Sequence, residues 1–256
     1  MRLIRFLDEK EAPRFGWVLD DKIGVIVGSP FEPFRRGAAD KNLDEVKLLP
    51  PVLPSKIICV GRNYPAHAQE HDAEVPDVPL LFLKPPSSII GPGGTIVLPP
   101  QSQRVEHEAE LAIVIGKRSR WLNLDNVKDA ILGCTVANDV TARDLQRRDG
   151  QWTRGKGFDT FCPIGPWIET EFDPADALIT CSVSGELRQM GSTRDMVFPV
   201  RQLVAYASSV MTLEPGDLLL TGTPAGVGPL VDGDELVTGI EGLGELRNQV
   251  KAQEPR

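Results

Sequence analysis

The chain has 256 residues, 41% of them hydrophobic and 25% charged, a composition that supports a packed core and excludes a disordered chain. Its formal charge of -8 disfavours nucleic acid and anionic membrane surfaces as partners. The start of the chain is charged, no apolar run reaches membrane-spanning length, and the four cysteines form no CxxC pair, so a cytoplasmic protein without a disulfide framework is expected.

Alternating apolar residues predict short strands over 3–6, 15–19 and 23–27, with Asp20-Asp21 as a turn. These form a small N-terminal β domain over residues 1–50. The run 49–54 holds three prolines, which fix φ and remove backbone donors, and reads as an extended linker. The remainder, 51–256, reads as one larger domain. Strands are expected over 56–60, 80–83, 109–115, 131–137 and 218–221, and helices over 65–73, 141–147 and 201–211. Many short strands between Gly/Pro turns predict a β-rich mixed α+β fold, not a doubly wound parallel sheet.

The segment EHEAELAIVI at 106–115 carries the clearest chemistry. Residues two apart on a strand share a face, so Glu108 and Glu110 project together at the mouth of a buried strand. Two adjacent desolvated carboxylates repel, so one holds a proton or a cation sits between them. A solvated strand start with scattered acids is the plainer alternative. Asp139 follows the apolar run 131–137 at a strand-to-helix junction. A helix beginning there puts Asp139, Arg143 and Gln146 on one face, as a binding wall or as a capped helix with an ordinary ion pair. Carboxylate oxygens suit a hard cation such as Mg²⁺.

His67 and Glu70 stand three apart on a short predicted helix, the arrangement in which a carboxylate orients an imidazole as a general base. The polar loop 72–78 beside them reads as a lid. Lys156 lies between two glycines, and TGTPAGVG at 221–228 offers hydroxyls and backbone N–H groups without a phosphate-loop ending. A surface loop and a tight turn are the plain readings of these two.

Seven segments taken together, VGRNYPAH, LFLKP, HEAELAIVIGK, NDVTARDLQ, GKGFDTFCPIGP, GELRQ and GDLLLTGTPAGVG, make the chain resemble the fumarylacetoacetate hydrolase superfamily. The likeness is to its shorter members: acylpyruvate hydrolases, oxaloacetate decarboxylases or tautomerases, and the isomerase/decarboxylases of homoprotocatechuate breakdown. It implies a curved β-roll behind a small N-terminal domain, usually a homodimer. It implies Mg²⁺ or Mn²⁺ on Glu108, Glu110 and Asp139, and a catalytic dyad of His67 and Glu70. It further implies Lys156 as a catalytic group, substrate contacts from Arg143, Gln146 and Thr223, and Arg62 and Lys84 close by. The implied substrate is a small 2-oxo acid reacting through a metal-stabilised enolate. Hydrolytic C–C cleavage of an acylpyruvate is the favoured outcome, with decarboxylation, tautomerisation or isomerisation as alternatives. A non-catalytic metal-stabilised binding protein is the alternative of another class.

Overall fold

The computed structural model describes residues 1–254. The centre of the fold is the strand Ala109–Ile115, every residue of which is buried. Its alternation serves two cores. Leu111, Ile113 and Ile115 pack into one apolar cluster, and Ala112 and Val114 into another. A strand buried on both faces belongs in mid-sheet, where it reads as a continuous apolar run.

The large sheet runs Arg35–Asn42, Lys22–Val27, Pro13–Leu19, Arg2–Leu7, Cys162–Glu169, Ile131–Asn138, Ala109–Ile115, Leu218–Leu220, Ile57–Gly61 and Leu80–Lys84. Neighbours on this path are antiparallel except Leu218–Leu220 against Ile57–Gly61. The first strands continue the main sheet directly, since Arg2 pairs with Glu169 and Leu3 with Ile168. A second sheet, in the order Glu186–Ser192, Leu178–Val183, Glu235–Ile240, Gly244–Ala252 and Thr95–Leu98, covers the Leu111 face. The helix Val200–Val210 closes that core with Val200, Leu203, Val204 and Ala207, the spacing of an amphipathic helix. No helix among the described residues is long and apolar enough to cross a membrane.

The local reading of the chain needs correction at several points. The N-terminal meander has a fourth strand, Arg35–Asn42, whose polar sequence carries no apolar alternation and whose side chains lie mostly at the surface. Leu48–Leu49 pairs with Arg5 and Phe6 before the prolines take over. The first helix ends at Glu70, not at residue 73. The second begins at Arg143, because Thr141–Ala142 pairs with Val105–Glu106 as a short strand. Asp139 is therefore outside the helix, and its expected alignment with Arg143 and Gln146 on one helical face does not hold.

Candidate active site

The sheet brings three acids together by its ladder alone. Ala109 pairs with Asn138 and Glu110 with Ala137, so the residues just beyond, Glu108 and Asp139, stand opposite each other. Two bonds lock that corner: the Asp139 N–H donates to the Glu108 carbonyl at 2.8 Å, and the Glu108 N–H to Asn138 Oδ1 at 2.9 Å. Glu108 and Glu110 share a face by strand alternation. Carboxylate oxygens of Glu108, Glu110 and Asp139 all lie within 4.8 Å of one another, and none of the three residues is more than 4% exposed.

Buried carboxylates need counter-charges. Lys156 Nζ donates to Glu108 Oε2 and Asp139 Oδ2, both at 2.7 Å. Lys84 Nζ donates to Asp139 Oδ1 at 2.6 Å and to the Val140 carbonyl at 3.1 Å. Arg143 does not pair with Asp139. Its Nε donates to Glu106 at 2.6 Å, Nη1 to Gln146 Oε1 at 2.7 Å, and Nη2 to Glu108. Burial favours the neutral acid at Glu108, but Lys156 and Arg143 outweigh it and hold this carboxyl well below its usual range. Burial likewise opposes the charge on Lys156, and Asp139 and Glu108 restore it, leaving its pKa raised.

Glu110 is the exception. Its side chain accepts the Gly222 N–H at 2.7 Å and forms no salt bridge among the described residues. Burial, then the charges of Asp139 and Glu108, push its pKa well above the carboxylate norm. Glu106 is paired with Arg104 and Arg143, Glu108 with Arg143 and Lys156, and Asp139 with Lys84 and Lys156, so Glu110 alone of these four acids lacks a cationic partner among the described residues. A divalent cation fits this cluster, because it supplies the counter-charge that Glu110 lacks and the donors are all hard carboxylate oxygens. The bond to Gly222 uses a backbone that only glycine adopts easily: its φ is +94°, and a Cβ there would lie 2.9 Å from the Asn63 Cβ.

The three acids open onto a cavity of about 320 Å³. His67, Arg62, Arg143, Gln146, Lys156 and Thr223 also line it. Lys84 is not among the lining residues; it stands behind Asp139. Thr223 presents a committed hydroxyl, which donates to the Ala109 carbonyl at 2.8 Å and accepts from Gln189 at 2.7 Å. Arg62 is exposed, has no salt bridge among the described residues, and holds a left-handed backbone at φ +57°. A non-glycine residue in that region is strained, a feature that clusters at functional sites.

His67 is 7% exposed, and its Nδ1 lies 3.3 Å from Glu70 Oε2. Because a carboxylate only accepts, Nδ1 carries the ring proton and Nε2 keeps a lone pair. Burial lowers the His67 pKa and outweighs both Glu108 and Glu70, so the ring is neutral and able to take a proton. Glu70 is itself held by the Gly226 N–H at 3.1 Å.

Two site residues have no sequence reading of their own. Glu106 is buried and accepts from Arg104 and Arg143; strand alternation already puts it on the Glu108 face. Gln189, within GELRQ, is fully buried. It accepts from the Ala109 N–H at 3.0 Å and from His107 Nδ1 at 2.9 Å, and donates to Thr223 Oγ1 and the Pro224 carbonyl. It joins the carboxylate strand to the loop carrying Gly222 and Gly226, across a sequence distance that no local pattern spans.

His107 gives a pH prediction. Burial lowers its pKa below 6.5 despite the bond to Gln189 and the nearby Glu108 and Glu106, and its Nε2 has no partner among the described residues. Below pH 6.5 the unfolded chain takes a proton that the folded chain refuses, so stability is present above that pH and is lost as pH falls toward the folded pKa. The slope is at most about 1.4 kcal/mol per pH unit for this group. Urea unfolding at pH 7.5 and 5.5 is expected to show a smaller loss at pH 5.5 for His107→Gln than for the parent. Equal losses would remove His107 from the acid response.

Comparison with known proteins adds to this geometry. The family model described as fumarylacetoacetate (FAA) hydrolase C-terminal matches residues 56–251, and one described as Rv2993c-like, N-terminal, matches residues 1–51. The human mitochondrial oxaloacetate tautomerase FAHD2A is 48% identical over 219 residues, 80% of this chain and 70% of that protein. The crystal structure of 2-hydroxyhepta-2,4-diene-1,7-dioate isomerase from Mycobacterium marinum matches with a TM-score of 0.90 and 43% identity, over 100% of both chains. Maleylpyruvate hydrolase from Sphingobium sp. SYK-6, in complex with manganese(II) and pyruvate, matches with a TM-score of 0.81 and 35% identity, over 99% of this chain and 100% of that one.

Proposed function

The chain belongs to the fumarylacetoacetate hydrolase family, and from that premise we propose that it is a Mg²⁺- or Mn²⁺-dependent enzyme that moves a proton at C3 of a small 2-oxo acid. The observation that carries this reading is the placement of a neutral His67, oriented by Glu70, over the cavity onto which three buried carboxylates open. Glu108, Glu110 and Asp139 would hold the ion. When bound, it supplies Lewis-acid polarisation of the 2-oxo group, which acidifies the hydrogens on C3. His67 Nε2 takes the proton, and Glu70 steadies the resulting imidazolium. Arg62 and Arg147, both exposed at the cavity rim, attract the anionic substrate. Lys156 holds positive charge against the acids and, once a divalent ion shares that task, stabilises negative charge on the substrate.

Two outcomes are open to the same neutral His67. If His67 instead activates water against a second carbonyl at C4, the C3–C4 bond breaks and an acylpyruvate yields pyruvate and a carboxylic acid. If the proton returns elsewhere, the acid is tautomerised. The complete His67–Glu70 pair suits hydrolysis. The likeness to the tautomerase, at 48% identity over 80% of this chain, favours proton relocation. Oxaloacetate and acylpyruvates should be followed in the ultraviolet with Mg²⁺ or Mn²⁺, with and without EDTA. Metal-dependent keto–enol interconversion of oxaloacetate is the expected result, and release of pyruvate from acylpyruvates selects hydrolysis. If every acid in the panel is left unchanged by the metal-loaded protein, the enzyme reading fails.

A further inference from the structure

A second cluster with a different donor set stands at the edge of the cavity, with His67 and His71 on its wall. His67, Glu70 and His71 stand at the end of the helix Pro65–Glu70, and one ligand atom from each lies within 4.8 Å of the others. Residues three and four apart on a helix share a face. The two imidazoles meet edge to face with centroids 4.7 Å apart. His71 Nδ1 accepts from Arg147 Nη2 at 3.4 Å, and its Nε2 is buried with no partner among the described residues. The proposed proton transfer makes no use of His71.

We infer that His67, Glu70 and His71 form a second cation site, selective for a borderline divalent ion of the zinc class. Two imidazole nitrogens and one carboxylate oxygen are a three-ligand set that zinc favours, whereas an all-carboxylate set favours magnesium or manganese. The two centres therefore sort ions by donor softness. At His71, coordination through Nε2 moves the ring proton to Nδ1 and releases Arg147, an exposed side chain free to swing into solvent. At His67 the nitrogen nearest Glu70 is Nδ1. Coordination there moves the ring proton to Nε2, the atom the proton transfer requires bare. Occupancy thus inhibits the enzyme; that clause rests on the proposed function, and the binding itself does not.

The test uses the full-length protein in a large excess of Mg²⁺, which blocks the carboxylate centre, with Zn²⁺ titrated against a chromophoric chelator. One Zn²⁺ per chain is expected to bind despite the Mg²⁺. His71→Asn should weaken that binding by about tenfold or more, and Arg147→Gln should tighten it by removing a competing donor and a like charge. Co²⁺ in place of Zn²⁺ should give intense visible bands that His71→Asn abolishes, with circular dichroism confirming that the variant is folded. If Mg²⁺ displaces all the Zn²⁺, or His71→Asn and Arg147→Gln both bind it as the parent does, the site is overturned. A failed substrate panel leaves these results untouched.

Discussion

Replacing Glu110 by glutamine is expected to split metal binding from stability in opposite directions. Glu110 is the acid of the three without a counter-charge among the described residues, buried beside Asp139 and Glu108. Glutamine keeps the shape and its carbonyl still accepts the Gly222 N–H, but the repulsion is gone. The metal-free protein should gain about 1–3 kcal/mol in urea unfolding, the scale of a poorly compensated buried polar group. The same change removes one of three ligands. Mn²⁺ affinity by calorimetry should fall about a hundredfold or more, and turnover about a thousandfold, given several kcal/mol of Lewis-acid stabilisation and 1.36 kcal/mol per factor of ten. A variant that binds Mn²⁺ as tightly as the parent would show that the ion sits elsewhere.

His67→Ala should behave differently. Turnover should drop by about 10²–10⁴-fold, the range for losing a general base, while Mn²⁺ affinity at the carboxylate centre stays close to that of the parent. The separation follows from geometry: His67 belongs to the helix Pro65–Glu70, and the three acids to the sheet and its corner. Glu70→Gln should fall between the two, because it keeps the ring in place but withdraws the charge that stabilises imidazolium. Unimpaired turnover in His67→Ala would remove His67 from the base role and pass it to another group on the cavity wall, where His71 packs against it with ring centroids 4.7 Å apart.

The parts of the site that the sequence disclosed are those set by a single strand. Glu108 and Glu110 follow from period-two alternation, and their burial from the apolar residues after them. Lys84 and Lys156 were located by resemblance, but their bonds to Asp139 were not foreseeable from local pattern, because they join residues 55 and 17 positions apart. The expected alignment of Asp139, Arg143 and Gln146 on one helical face fails for a physical reason. Thr141–Ala142 extends the backbone into a strand pairing before the helix can start, which swings Arg143 away from Asp139 and onto Glu106. In the fold, apolar strands such as Ile57–Gly61 and Ala109–Ile115 were evident. Arg35–Asn42 was not, because it pairs with Lys22–Val27 along the backbone ladder and buries none of its side chains, so it needs no apolar alternation.

The hydrogen bond between the Asp139 amide and the Glu108 carbonyl has a wider consequence. It makes the reactive centre a property of a ladder in the middle of the molecule, while the groups facing an incoming acid sit on a short helix and on loops at the rim. Chemistry and selectivity are thereby mounted on separate parts. Peripheral segments such as 72–78 can be exchanged to suit a new side chain without disturbing the anvil on which the bond is made or broken.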